Sequence, residues 1–273
     1  MSEITAADVS KLRKVTGAGM MDCKVALQEA AGDFDKAIEI IRKKGQAIAN
    51  KRADRDATEG AVLARVNGSF GAVICLACET DFVAKNESFV AFAQSILDAA
   101  LAGKPADLQA LLALPFEGKT VADKVIEQVG VIGEKLEVSY YEKVEAPFIQ
   151  AYIHPGNKLA TLVGFNKAGV PEQVAKDVAM QIAAMAPVAV DKENVSAEIV
   201  AKEFEIGREQ ALREGKPENL VDKIAEGRVQ KFFKEETLLN QEFTKDSKLT
   251  VRQYLAQADK ALTVTGFKRF SLK

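Results

Sequence analysis

The sequence predicts an α+β fold in three parts: an amino-terminal three-helix module, a core of two similar α/β subdomains with small antiparallel sheets, and an inserted antiparallel helical hairpin. Three observations carry that prediction. Helix caps and glycine stops recur up to Gly45. A β-hairpin followed by an apolar helix occurs twice, with turn glycines at Gly68 and Gly156, as a divergent duplication would leave them. Two long amphipathic stretches also flank the turn Gly215-Lys216-Pro217.

Residues 1–45 read as the helical module. Thr5 caps a helix whose apolar positions Val9 and Leu12 lie three apart, and Thr16-Gly17-Ala18-Gly19 breaks it. A second helix over 21–31 carries Val25 and Leu27. Gly32-Asp33 restarts a third, in which Ala37, Ile38, Ile40 and Ile41 lead into Arg42-Lys43-Lys44-Gly45, basic residues and a glycine that form a stop. Residues 46–60 then read as a linker or a solvated helical extension. The run Asn50-Lys51-Arg52-Ala53-Asp54-Arg55-Asp56 has no apolar face, so a solvated connector is favoured over phosphate contact.

Residues 61–145 form the first core subdomain. Strands over 61–66 and 71–77 meet at Asn67-Gly68, an apolar helix follows over 89–101, a short helix over 119–130, and an alternating strand over 138–144. The second subdomain takes 146–190 and 240–273. Its strands over 148–153 and 159–165 turn at Pro155-Gly156, a helix follows over 171–186, and an alternating segment over 262–272 closes a sheet. Between them, 191–239 form the helical hairpin. Ile199, Val200, Phe204, Ala211 and Leu212 on one arm face Leu220, Val221, Ile224, Val229 and Phe232 on the other.

Composition narrows the function. The 273 residues include 37 Lys and Arg against 39 Asp and Glu, for a net charge of -2, which gives no basic footprint for direct nucleic-acid binding. Three cysteines make no closed disulfide set, and the start Met1-Ser-Glu-Ile-Thr has no signal-peptide pattern, so a reducing, cytoplasmic setting is expected. The most apolar stretch, 179–190, is too short to span a membrane.

No catalytic constellation, cofactor or metal site is expected. The single histidine, His154, sits in a turn with no matched nucleophile, and a contact role is favoured for it. Cys75-Leu76-Ala77-Cys78 has the spacing of a metal or redox pair, but on a strand the two thiols point to opposite faces. Gly17-Ala18-Gly19 lies between helices, outside the strand-turn-helix context of a phosphate loop. Glu79-Thr80-Asp81-Phe82-Val83 is more distinctive: it joins a strand to a helix and sets a large ring beside a carboxylate. Composition alone favours a cap by Thr80 or Asp81 with Phe82 tucked under the helix as a staple.

Four ordered motifs resemble the elongation factor Ts family. They are Leu12-Arg13-Lys14-Val15-Thr16-Gly17-Ala18-Gly19-Met20-Met21-Asp22-Cys23-Lys24-Val25-Ala26-Leu27; Thr80-Asp81-Phe82-Val83-Ala84-Lys85-Asn86; Gln181-Ile-Ala-Ala-Met-Ala-Pro187; and the stretch from Gly215-Lys216-Pro217 to Lys234. The resemblance implies a translation elongation factor, not an enzyme, that exchanges guanine nucleotide on elongation factor Tu. It implies a module like ubiquitin-associated (UBA) domains and a hairpin that dimerises some members. It gives Thr80, Asp81, Phe82 and Val83 the role of dislodging the partner's Mg²⁺, and Arg13, Met20, Met21 and His154 that of docking. Relatives often carry Glu-Val-Asn-Cys where this chain has Cys75-Leu76-Ala77-Cys78. Two other classes compete: an adaptor that binds partners through its helical parts, and a thiol enzyme built on Cys75 and Cys78. An adaptor would leave GDP release from elongation factor Tu at its spontaneous rate, and exchange that persists with both cysteines replaced by serine would dispose of the thiol enzyme.

Overall fold

The computed structural model describes residues 4–272; the sequence reading of Met1, Ser2, Glu3 and Lys273 lies outside them. Helix α1 (Ala6–Thr16) begins at a capping box between Thr5 and Asp8 and ends at Gly17, left-handed at φ 70°. Helices α2 (Met20–Glu29) and α3 (Phe34–Lys51) complete the module around Leu12, Cys23, Ala26, Leu27 and Ala37. Val25 is not part of that core. With Cys23, Ala26 and Leu27 facing inward, the helical period turns Val25 outward.

The first half of the core runs β1 (Glu59–Asn67), β2 (Phe70–Cys78), the one-turn α4 (Asp81–Ala84), α5 (Glu87–Gly103), α6 (Leu108–Ala113), a tiny hairpin of β3 (Pro115–Phe116) and β4 (Lys119–Thr120), α7 (Val121–Ile132) and β5 (Glu137–Glu145). Asn67 pairs with Phe70, so the turn is Gly68-Ser69, one position later than the Asn67-Gly68 expected. The second half runs β6 (Phe148–Ile153), β7 (Leu159–Phe165) and α8 (Glu172–Met185). After the hairpin arms α9 (Ala197–Arg213) and α10 (Glu218–Glu236) come β8 (Glu242–Phe243), β9 (Asp246–Thr250), α11 (Val251–Ala258) and β10 (Val264–Ser271).

Two three-stranded antiparallel sheets result, in the orders β1-β2-β5 and β10-β7-β6. They stack face to face. Val73, Cys75 and Ala77 of β2 meet Ile149 of β6 and Ala160 and Leu162 of β7. The alternate residues Ala72, Ile74, Leu76 and Cys78 face Phe89, Ile96, Val125 and Val129 of the helical layer. Strand β2 is therefore covered on both faces and buried throughout. The other sheet is covered by α8 and α11 through Val178, Ile182 and Leu255.

The stop expected at Gly45 does not occur. Helix α3 runs on to Lys51, because Gly45 serves a close helix crossing: a Cβ on Gly130 of α7 would lie 2.8 Å from the Gly45 Cα. The hairpin seam keeps three of its expected members and loses others. Ala211, Val221, Ala225 and Val229 are buried in it, while Ile199, Leu212, Leu220 and Ile224 are exposed. A Cβ on Gly207 would come within 2.9 Å of the Ala225 Cα, so small residues, not the large ones, bring the arms together. The base of the hairpin is zipped: Val188 N donates to Glu236 O (2.8 Å), Leu238 N to Ala189 O (2.9 Å) and Leu239 N to Val190 O (3.0 Å).

A buried carboxylate fastens the carboxy-terminal elements to α8. Asp177 accepts from Lys245 (2.6 Å), Gln173 (2.7 Å) and the Tyr254 hydroxyl (2.8 Å). Burial alone would raise its carboxyl, but those three donors hold it below the ordinary 3.8. Burial and the same carboxylate push the Tyr254 hydroxyl up to about 12.

Two tests follow from this packing. Gly130→Ala should lower stability by about 1–3 kcal/mol through overpacking, although helix propensity alone favours alanine. Gly227→Ala on α10, where nothing lies within 4 Å of the new Cβ, should instead raise it by up to about 1 kcal/mol; urea denaturation compares the two. Asp177→Asn should cost about 1–3 kcal/mol at neutral pH, the half-exposed Lys245 limiting the loss. A depressed carboxyl stabilises the fold above its unfolded range and loses that effect as pH falls through its folded value. The gap between Asp177→Asn and the parent should therefore close below about pH 4.

Candidate functional site

Strand β2 delivers the chain to a short, rigid protrusion. Thr80 is extended, at φ -123° and ψ 153°, and its Oγ1 accepts from Val83 N at 3.4 Å, starting α4. Asn86 then caps α5, its Oδ1 accepting from Ser88 N at 2.9 Å. A four-residue helix between two caps leaves room for only one turn. Ala84 is buried and Val83 packs on the first core, which turns Phe82 the other way. Phe82 is 84% exposed, the most exposed large apolar side chain among the described residues. The staple is thus excluded: Thr80 caps, but Phe82 is not tucked under the helix.

Charge around the protrusion is paired. Asp81 accepts from Lys85 Nζ at 2.6 Å, and that bond holds its carboxyl below the ordinary range while raising the Lys85 ammonium. The Glu134 carboxylate accepts from Glu79 N and Thr80 N, both at 3.1 Å, and from the Thr80 hydroxyl at 2.6 Å. In return, Glu79 accepts from Lys135 N at 2.7 Å, Arg52 at 2.7 Å and Arg55 at 3.2 Å. Burial alone would raise the Glu79 carboxyl, yet these donors keep it below its usual value. Lys135 Nζ donates to Ala53 O (3.0 Å) and Arg55 O (2.8 Å).

The basic run at the end of α3 is exposed apart from the half-buried Arg52, as a solvated segment would be, but Arg52 and Arg55 are not free for phosphate. Both grip Glu79. Nothing in the composition of 50–56 marks that contact, since the partner lies 27 residues from Arg52 along the chain.

The remaining candidates border the same region. Arg13 is exposed on α1, and Met20 and Met21, at the start of α2, are 45% and 69% exposed. A Cβ on Gly17, in the turn just before them, would lie 3.6 Å from Val131 at the end of α7. Glu134, three residues on from Val131, holds Thr80, so one end of α7 carries both the α1–α2 turn and the protrusion. Val15 and Val25 are also exposed there, and the sequence reading assigned them no docking role. His154 is exposed in the β6–β7 turn, its Nδ1 2.9 Å from the Tyr152 hydroxyl. That turn abuts β1: Asn157 O accepts from Val62 N at 2.7 Å, and Lys158 pairs with Glu59 at 2.9 Å. Glu59 in turn pairs with Cys78 at the root of the protrusion.

Cys75 and Cys78 point to opposite faces of β2, into separate clusters. Burial pushes their thiols up to about 11 and about 12. Among the described residues no group of three or more His, Cys, Asp or Glu side chains could hold a metal ion. No helix among them is long and apolar enough to cross a membrane.

Strand β2 thus ends in an apolar tip held out on a braced loop, with two buried thiols beneath it. Comparison with known proteins gives the family. The family model described as Elongation factor TS matches residues 79–273, from the root of the protrusion onward. Elongation factor Ts of Porphyromonas gingivalis is 56% identical over 270 residues, covering 98% of each chain. That of Christiangramia forsetii is 51% identical over 275 residues, covering 100% of each, and that of Bacteroides fragilis 45% identical over 327, covering 99% of each. The chain belongs to the elongation factor Ts family of translation elongation factors.

The burial of all three thiols makes a direct prediction. Native protein should resist an aromatic disulfide reagent at pH 8, and should react at all three cysteines only once denaturant exposes them; fast labelling of the folded chain at Cys75 or Cys78 would revive a thiol chemistry.

Proposed function

We propose that this chain is a guanine-nucleotide exchange factor for elongation factor Tu, and that Phe82 is its wedge. The observation that carries the reading is the 84% exposure of Phe82 on an anchored turn, in a chain of this family. A large apolar ring held in water on a rigid support gains free energy only when a partner covers it.

In this reading Thr80, Asp81, Phe82 and Val83 enter the partner's GTPase domain and disturb the elements that hold Mg²⁺. Removing the cation removes the charge that neutralises the nucleotide's phosphates, and their binding weakens. Asp81, kept ionised by Lys85, brings a negative charge to that position. Arg13, Met20 and Met21 dock on a helix of the same domain, where methionine side chains repack readily in a groove. His154 supplies a further contact from the β6–β7 turn. The hairpin is assigned to self-association.

No covalent bond is made or broken on this chain, so it acts as a factor and not as an enzyme. The physics is linkage. A factor that binds empty partner more tightly than nucleotide-bound partner must weaken the partner's hold on nucleotide by the same ratio. Exchange speeds up and its final equilibrium is untouched.

Release of labelled GDP from purified elongation factor Tu tests the reading. The chain should accelerate release, and Phe82→Ala should fold normally yet slow the accelerated rate by roughly 30-fold or more, as expected for loss of a hot-spot aromatic worth ~2–4 kcal/mol. A release rate left at its spontaneous value by the parent chain would point to an adaptor instead. A Phe82→Ala rate equal to the parent's would defeat the wedge.

A further inference from the structure

We infer that Glu134 is a positioning residue for exchange: through Thr80 it sets the direction in which Phe82 points. This rests on the exchange reading of the protrusion.

The need for such a residue follows from α4. A helix of four residues has little stability of its own, because forming the first turn fixes several dihedrals for one hydrogen bond. Phe82 adds nothing to hold it, being out in water. A tip free to swing would lose conformational entropy on docking and enter its partner in many orientations. Val83 and Ala84 decide which side of the turn faces the core, but where the turn starts has to be set by what holds Thr80, the residue before it.

Glu134 is placed to impose it. Where β2 ends, the N–H groups of Glu79 and Thr80 pass out of the β1–β2 pairing, whose last pair is Glu59 and Cys78. Both donate to one Glu134 oxygen, and the Thr80 hydroxyl donates to the other. These bonds to an ionised acceptor are of the stronger kind. The hydroxyl has one proton. With that proton given to Glu134, its lone pairs are left to accept from Val83 N, which is the cap that starts α4. Glu134 therefore selects the Thr80 rotamer, Thr80 selects the first turn, and the turn aims Phe82.

The support behind Glu134 is firm. It follows Gly133, the left-handed cap of α7 at φ 80°, and α7 is locked on α3 at the Gly45–Gly130 crossing. Glu79 returns the contact by accepting from Lys135 N, so adjacent residues of two segments exchange carboxylates across the root of the tip. Arg52 and Arg55 tie that exchange to the end of α3.

The test separates aiming from mere stabilisation. Labelled-GDP release from elongation factor Tu is followed against factor concentration for the parent, Phe82→Ala, Glu134→Ala, Glu134→Gln and the double variant Phe82→Ala/Glu134→Ala, with thermal unfolding of each. Glu134→Ala should lower the maximal rate by roughly 10-fold or more, from the bonds lost, and Glu134→Gln, which keeps one carbonyl acceptor, should recover part of it. Acting through Phe82, Glu134 should add nothing in the double variant, whose rate should match Phe82→Ala within about 2-fold. Hydrogen exchange at the amides of Glu79, Thr80 and Val83 should also quicken in Glu134→Ala, with the amides of β2 unchanged. A slow Phe82→Ala beside an unaltered Glu134→Ala, a further loss in the double variant, or unaltered amide exchange would each overturn the inference and leave the wedge standing. A Phe82→Ala with parental rates would remove both.

Discussion

Two glycines facing one another, Gly45 and Gly130, are the constraint on which the rest of the molecule hangs. Without side chains at that point, α3 and α7 cross backbone to backbone. The crossing joins the helical module to the first sheet's helical layer. It also holds in place the end of α7, which Gly133 caps, and so the position of Glu134 and Lys135. From there the hydrogen bonds reach Thr80 and Glu79. A contact between two residues with no functional groups thus determines the placement of the exposed ring.

The same logic explains the near-balance of charge. Around the protrusion, acidic groups are not left to act over distance but are each spent on a donor: Glu79 on two arginines and a backbone amide, Asp81 on Lys85, Glu59 on Lys158. Such pairing orders the loop without building a strong field. What this surface exposes is then apolar area, in Phe82, Met20 and Met21.

Local signals in the sequence were readable because they act over a few residues. The Thr5 cap, the hairpin strand over 71–77 and the alternation over 138–144 appear where expected, as does the closing strand β10. The loop's importance came from its resemblance to a family. Composition had pointed to a staple, because the letters Thr80-Asp81-Phe82 do not say which side Ala84 faces. Gly45 is ambiguous for a related reason: a glycine that ends a helix and one that admits a neighbouring helix look alike until the neighbour is known. In the hairpin seam Ala211, Val221 and Val229 are buried as expected, but size also suggests Ile199, Leu212, Leu220 and Ile224, which are exposed, whereas Gly207 and Ala225 bring the arms together by closeness. The bonds from Glu134 to Thr80 span 54 residues, and no pattern of period two or 3.6 reaches so far. Strands of two residues, such as β3, β4 and β8, are shorter than any periodicity.

The zipped base of the hairpin makes that insertion a detachable part. Because Val188, Ala189 and Val190 are hydrogen-bonded directly to Glu236, Leu238 and Leu239, the chain leaves the core and re-enters it at one spot. Closing a longer or shorter excursion between such ends changes the free energy only slowly with length. Evolution can therefore lengthen, shorten or replace the arms while the sheets beneath keep their register, which frees this one element to vary with the company the protein keeps.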